Sequence, residues 1–148
     1  TGVQTCALRS NKFEASMDNG ITQRLFDEGY LVGKLKTFDF VLEGGSIDSN
    51  GHGVMLSTAY CLFEENRNPK LSKKKIKKTL MKLFGLKELI ILKHGALMGD
   101  DTDSHIDTLA RFIDKKTIAY VKCYDKKDEH YKELKKMEKE LNWYIDRM

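Results

Sequence analysis

The chain has 148 residues, of which 41% are hydrophobic and 32% are charged, and its formal net charge is +4. This composition is typical of one globular domain with a charged surface, and the charge is too small to indicate a nucleic-acid-binding protein. No apolar run approaches the length of a membrane span, and three widely spaced cysteines form no disulfide or zinc pattern, which favours a reducing cytoplasm.

The first predicted elements are a helix and a strand. Residues 21–31 have helical spacing, with Ile21 and Leu25 expected to face inward. Residues 38–42 read Phe-Asp-Phe-Val-Leu, which is typical of a strand. This strand leads directly into Glu43 and two glycines, which would leave the carboxylate uncrowded. A plain glycine turn with a solvated glutamate is the alternative.

A hairpin and a lysine-rich helix follow. Ser-Asn-Gly at residues 49–51 predicts a hairpin turn, with the return strand at residues 54–58. Residues 73–84 predict a helix that Ser72 caps and Gly85 ends. Its lysines could contact an acidic partner, although a solvated helix face is the simpler interpretation.

The second half of the chain predicts two strands and a long helix. Residues 88–93 form a continuous aliphatic run that is typical of a buried strand, and residues 117–123 predict the next strand. Residues 131–148 predict a charged helix with one apolar stripe. The order α, β, β, α, β, β, α suggests two β/α modules, at residues 38–93 and 105–148.

Residues 99–107, Gly-Asp-Asp-Thr-Asp-Ser-His-Ile-Asp, concentrate four carboxylates and one imidazole. If residues 105–107 are extended, His105 and Asp107 point to the same face. Together they could perform acid–base chemistry on a cationic substrate. A solvated acidic turn is the alternative.

Four motifs in one order resemble the agmatine deiminases, a family of the guanidine-modifying pentein superfamily. They are Leu42-Glu43-Gly44-Gly45-Ser46, Asn66-Arg67-Asn68-Pro69, His94-Gly95 and residues 99–107. The resemblance extends from about residue 11 to residue 123. Ser104 departs from the pattern, because the family more often has glycine there.

The resemblance implies an α/β fold of the pentein propeller type, of which this chain would hold about two ββαβ-type modules. It implies hydrolysis of a small guanidine, agmatine, to N-carbamoylputrescine and ammonia through a cysteine-thiolate intermediate, as part of putrescine biosynthesis. No metal or organic cofactor is expected. His105, Glu43 and Asp107 match catalytic positions, and the substrate-binding positions are Asp107, Asp101 and Gly44.

Two family motifs do not occur in the sequence: a nucleophile segment of the type G-G-x-H-C and an N-terminal segment of the type W-x-R-D. Cys6, Cys61 and Cys123 have other surroundings, and Cys61 is predicted to be a buried apolar residue. We therefore expect residues 1–148 to form a single partial domain from the middle of the family protein. It is expected to be inactive alone and to associate with itself or with the missing segments.

Two other hypotheses remain open from the sequence. A metal-dependent hydrolase would use His94, Asp101, His105 and Asp107 as ligands. A non-catalytic module would bind a guanidine, or would bind an acidic partner through the helix at residues 72–84. No nucleic-acid or membrane partner is expected.

Overall fold

The computed structural model describes residues 2–3 and 16–147, which form a mixed α/β structure with small sheets. The helices are α1 (Ser16–Asn19), α2 (Ile21–Asp27), α3 (Ala59–Leu62), α4 (Lys73–Phe84) and α5 (Tyr131–Ile145). The strands are β1 (Gly2–Val3), β2 (Leu35–Lys36), β3 (Ile47–Ser49), β4 (Val54–Thr58), β5 (Glu88–Leu92), β6 (Ala110–Phe112) and β7 (Ile118–Tyr120). Short 3₁₀ helices lie at Gly44–Ser46 and Ile106–Thr108.

The central sheet has the strand order β3-β4-β5. Strands β3 and β4 form the predicted hairpin, whose turn is held by Asn50 Oδ1, the acceptor for the backbone N–H groups of His52 and Val54. Strand β5 runs parallel to β4, so the chain between them must cross from one end of the sheet to the other. Helices α3 and α4 make this crossing.

Helix α4 has the predicted bounds. Ser72 Oγ accepts a hydrogen bond from the N–H of Lys75, and Gly85 ends the helix with a left-handed φ of 61°. Ile76 and Leu80 are buried, whereas the lysines of the helix are exposed, as expected for a solvated face.

Two apolar cores lie on opposite faces of β5. Ile90 and Leu92 belong to a core that includes Met137 and Leu141 of α5, and Ile91 belongs to a core that includes Leu80 of α4. This alternation is what a strand buried on both faces requires. The prediction of a buried strand here, and that of an amphipathic helix at the position of α5, are therefore confirmed.

Residues 38–42 form no strand, which corrects the prediction. The backbone of Val41 is paired with a side chain instead: its N–H donates to Asn68 Oδ1 at 3.0 Å, and its carbonyl accepts from Asn68 Nδ2 at 2.9 Å. Phe40 and Leu42 are buried although the segment is not a strand. The sequence pattern reports burial, and it does not specify which group supplies the hydrogen bonds.

The prediction that Ile21 and Leu25 of the first helix face inward is also wrong. Helix α2 ends at Asp27, and Ile21 and Leu25 are 44% and 37% exposed.

The strand predicted at residues 117–123 is shorter in the structure than in the prediction, because only the residues of β7 pair with another strand. The partner of β7 is β6, which was not predicted. Among the described residues, no helix combines the length and apolarity needed to cross a bilayer.

Candidate active site

Glu43 and His105 form the centre of the site. His105 Nε2 lies 2.6 Å from Glu43 Oε2, although the two residues are 62 positions apart. Each residue immediately precedes a 3₁₀ helix, at Gly44–Ser46 and Ile106–Thr108, and these two short helices lie side by side. The side chains are only 11% and 16% exposed. The structure therefore brings together two of the predicted site residues in a partly dry environment.

Arg67 joins this pair through a fork of hydrogen bonds. Its Nη2 donates to Glu43 Oε2 at 2.7 Å, and its Nη1 donates to Asp103 Oδ2 at 3.1 Å and to the carbonyl of Cys61 at 3.1 Å. The Arg67 side chain is 2% exposed. A guanidinium suits this place because its planar fork can bind two carboxylates at once.

Arg67 and His105 determine the ionisation of Glu43. Burial alone would raise the pKa of Glu43, but the hydrogen bonds and charges of Arg67 and His105 lower it below its usual value. Because an ionised carboxylate can only accept, His105 Nε2 carries the hydrogen of the short contact. Glu43 thereby fixes which ring nitrogen of His105 is protonated.

The sequence reasoning assigned no role to Arg67. Its motif, Asn-Arg-Asn-Pro, contributed only to the resemblance. No local signal marks this arginine as buried, because the two carboxylates that it binds lie 24 and 36 positions away in the sequence.

Residues 99–107, called the acidic loop below, are held by hydrogen bonds of their own. They are therefore not the solvated acidic turn that was the alternative from the sequence. Asp100 accepts hydrogen bonds from the N–H and hydroxyl of Thr102 and from the N–H of Ser104. Burial would raise the pKa of Asp100, but these hydrogen bonds lower it. Thr58 Oγ1 donates to the carbonyl of Ser104 at 2.7 Å, which ties the loop to β4.

Asp103 and Ser104 have left-handed φ values of 60° and 61°. Glycine adopts this conformation without strain, whereas other residues adopt it less readily. A glycine at position 104, which the resemblance leads one to expect, would adopt this conformation without strain. The strain is held by the contacts of the loop with Arg67 and Thr58.

Asp107 reaches the same region by a different geometry from the predicted one. Residues 105–107 are not a strand, because Ile106–Thr108 is a 3₁₀ helix. A Cβ atom added to Gly45 would nevertheless lie 2.6 Å from both Asp107 Oδ2 and His105 Nδ1. Both side chains therefore lie against the bare Cα of Gly45, and the Asp107 residue is exposed.

The structure gives less support for a binding role of the other two predicted substrate-binding residues, Gly44 and Asp101. A Cβ atom on Gly44 would meet nothing within 4 Å, and Gly44 is exposed. Gly45, which the sequence reasoning did not single out, is thus the glycine that permits close approach. Asp101 is exposed in the acidic loop. The binding roles of Gly44 and Asp101 stay predictions.

Cys61 is fully buried, as predicted, and its Sγ lies 4.0 Å from Glu43 Oε2. Burial raises the pKa of the Cys61 thiol to about 12, even though the charge of Arg67 lowers it. The thiol is therefore protonated at neutral pH and is a poor nucleophile. Cys123 packs against the core beside α5, and Cys6 lies outside the described residues.

The described residues offer one group with ligand atoms close enough for a metal ion, Glu43, Cys61 and His105, all within 4.8 Å of one another. This is not the predicted set, because the structure does not bring His94 and Asp101 to His105. The group suits a cation poorly, since Arg67 already binds the same oxygen of Glu43 and the thiol is protonated. The arrangement is better suited to moving protons.

Comparisons with known proteins show the family to which the chain belongs. The sequence model of the family described as Porphyromonas-type peptidyl-arginine deiminase matches residues 7–147. The agmatine deiminase of Stutzerimonas stutzeri is 33% identical over 114 residues, which are 77% of this chain and 30% of that protein. The agmatine deiminase of Pseudomonas aeruginosa is 37% identical over 98 residues, which are 66% of this chain and 26% of that protein.

Solved structures match over most of the chain. An agmatine deiminase of C. jejuni with substrate bound has a TM-score of 0.87 and 53% identity, and the match covers 91% of this chain and 40% of that chain. The agmatine deiminase of Enterococcus faecalis has a TM-score of 0.74 and 29% identity, with coverages of 87% and 35%. The predicted pentein-type α/β fold is thereby confirmed. The chain spans about a third of the length of the curated relatives it matches.

Proposed function

The chain belongs to the Porphyromonas-type peptidyl-arginine deiminase family, and we propose that it carries the acid–base half of an agmatine deiminase active site. The whole enzyme would hydrolyse agmatine to N-carbamoylputrescine and ammonia, as a cytoplasmic step of putrescine biosynthesis. The observation that carries the proposal is the 2.6 Å contact between Glu43 and His105, with Asp107 facing the same glycine.

Asp107 is the proposed anchor for the substrate. A guanidinium is a planar cation, and a carboxylate can accept two of its N–H groups side by side. Asp107 is exposed, and its Oδ2 lies near His105, so a bound guanidinium would sit next to the imidazole. Gly44 and Asp101 are proposed as further contacts on the exposed side of the site.

His105 is the proposed proton carrier. Its Nε2–H is held by Glu43, which leaves Nδ1, on the side of Asp107, for exchange with the substrate. In the first step a cysteine thiolate forms a C–S bond to the guanidinium carbon. The C–N bond then breaks, and ammonia leaves with the proton that doubly protonated His105 carries on Nδ1. Water next returns a proton to Nδ1 and attacks the same carbon. The C–S bond then breaks to restore the thiolate, and the proton of the new hydroxyl group passes to solvent as the ureido product forms.

The nucleophile is proposed to come from a segment outside these 148 residues. Cys61 is unsuited to the role because its thiol is buried and its pKa is raised to about 12. Cys123 is partly buried and packs against the core that includes Met137 and Leu141 of α5. In a reducing compartment these cysteines would remain thiols, as the described Cys61 and Cys123 are.

The test is agmatine binding and turnover by the 148-residue chain. Calorimetry is expected to show weak binding that Asp107→Asn abolishes, while the control Asp146→Asn, an exposed carboxylate at the end of α5, leaves it unchanged. An ammonia assay is expected to stay at background. Turnover by the pure chain would contradict an external nucleophile.

Agmatine binding that Asp107→Asn leaves unchanged would contradict the guanidine site, and the chain is then tested for binding of an acidic ligand. If that binding disappears when the exposed lysines of α4 are changed to glutamate, or in high salt, the non-catalytic docking module becomes the better interpretation.

A further inference from the structure

One buried guanidinium connects the three chain segments that form the site. Arg67 contacts Glu43, which stands just before the first 3₁₀ helix. It also contacts Asp103 and the carbonyl of Thr102, which belong to the acidic loop. Arg67 also donates to the carbonyl of Cys61, in helix α3 just before its own loop. These four contacts use both terminal nitrogens of the fork.

The groups that face Glu43 leave Arg67 as its only fixed cation among the described residues. His105 lies at 2.6 Å but is charged only when it is protonated. The sulfur of Cys61 lies at 4.0 Å and is neutral. Asp103 adds a second negative charge, which Arg67 also neutralises. Removal of the guanidinium would leave Glu43, whose side chain is 11% exposed, without a permanent positive charge beside it among the described residues.

The protonation of Glu43 decides what it can do for His105. An ionised Glu43 accepts the Nε2–H of His105, whereas a protonated Glu43 would compete as a donor. Burial of a carboxyl group without a cation favours the protonated form. The same guanidinium binds Asp103, two residues before His105, at a point where the backbone is left-handed.

We propose that Arg67 is a positioning residue of this site, which keeps Glu43 ionised and holds the acidic loop so that His105 meets Glu43. Arg67 does not contact the substrate in this assignment and acts through Glu43 and Asp103. The catalytic role of the contact between Glu43 and His105 rests on the proposed function. The influence of Arg67 on the ionisation of Glu43 can be measured without any substrate.

The experiment follows the carboxyl ¹³C resonance of Glu43 against pH in the 148-residue chain, in variants of Arg67. Arg67→Met removes the charge at similar length, and the midpoint of Glu43 is expected to rise by at least about one pH unit, a tenfold change in the protonation equilibrium. Arg67→Lys restores a cation and is expected to return most of this shift. Arg111→Met, which removes an exposed partner of Asp48, is the control and should leave Glu43 unchanged.

An unchanged midpoint of Glu43 in folded Arg67→Met would overturn the proposal. If that variant does not fold, Arg67→Lys decides the matter through hydrogen exchange. Lysine lacks the fork, so the amides of Ser104 and His105 are expected to exchange at least about tenfold faster than in the wild type. Unchanged exchange of these amides in Arg67→Lys would then overturn the proposal, because lysine keeps the charge but cannot make the forked contact. Because no agmatine is used, failure of the deiminase hypothesis leaves this result interpretable.

Discussion

At the scale of single residues, the site depends on a glycine, which has no side chain, as much as on its charged residues. Gly45 leaves room for the imidazole of His105 and the carboxylate of Asp107 to lie against the backbone. Neighbouring Gly44 has open space beside its Cα. Two adjacent glycines that look equivalent in the sequence therefore have different tolerance for a methyl group.

Gly45→Ala is expected to displace His105 and Asp107 while the domain stays folded. The new Cβ would lie 2.6 Å from one atom of each side chain, and both atoms are at the ends of side chains that can rotate away. We expect a loss of about 1 kcal/mol in the free energy of unfolding. The contact between His105 and Glu43 should weaken, which the NMR resonances of the His105 ring would report.

Gly44→Ala is the matched control for the position of the two side chains, since its methyl group would meet no atom. Unchanged His105 resonances in Gly45→Ala, or equal changes in both variants, would contradict this account of the crowding.

The site residues differ in how far the sequence could predict them. Glu43 and His105 were found because both stand in unusual local contexts, a strand-like run ending in glycines and an acidic loop. Arg67 was missed because its role depends on carboxylates 24 and 36 positions away, which no local pattern reveals. Asp107 was placed on the correct side for an incorrect reason, since the backbone there is a 3₁₀ helix and not a strand.

At the scale of secondary-structure elements, a buried carboxylate fastens α5 to β7. Glu138 accepts hydrogen bonds from the hydroxyl of Tyr120 at 2.9 Å and from Lys122 Nζ at 2.6 Å, and it is also paired with Lys135. The hydrogen bonds from Lys122, Lys135 and Tyr120 lower the pKa of Glu138 to about 2. The helix is thus bound to the hairpin by charge as well as by its apolar stripe.

The contribution of Glu138 to stability is expected to be complete above pH 4.5 and to disappear as the pH falls toward 2. A carboxyl whose pKa is lower in the folded state than its usual 4.5 binds protons first in the unfolded state, so acid favours unfolding over that interval. Urea unfolding at several pH values should show a flatter pH dependence for Glu138→Gln than for the wild type. Glu129→Gln, in the exposed loop before α5, should retain the wild-type slope, and equal slopes in all three proteins would contradict the prediction.

The elements that the sequence predicted well carry their signals locally. Helix α4 has a serine cap, an apolar stripe and a closing glycine, and each is used as expected. Residues 38–42 have the alternation of a strand but no strand beside them, because Asn68 provides the partner. The inward face of α2 was mispredicted since helical spacing alone does not say whether another element covers the apolar side.

At the scale of the whole molecule, one end of the described chain exposes large apolar side chains. Those of α1, α2 and the following segment include Met17, Ile21, Leu25, Tyr30 and Val32. These five exposed residues all fall in one stretch of the chain, and exposed apolar residues that form a patch are typical of an interaction site.

We expect the 148-residue chain to self-associate through this apolar surface. Sedimentation velocity should show an increase in mean mass with concentration, and Ile21→Ser combined with Leu25→Ser should shift the chain toward the monomer. Ile113→Ser, which removes an exposed apolar side chain beside the β6–β7 hairpin, is the control and should not do so. A wild-type chain that is monomeric at every concentration would contradict the expectation.

The parallel pairing of β4 with β5 also bears on the time course of folding. Glu43 and His105 are 62 positions apart, and Arg67, which joins them, lies in the crossing between the two strands. Closing loops of this length costs chain entropy that local contacts cannot offset, and parallel strands form slowly for the same reason. The contact between Glu43 and His105 should therefore form only after the sheet is in place, so that in a folding chain the sheet precedes the candidate site.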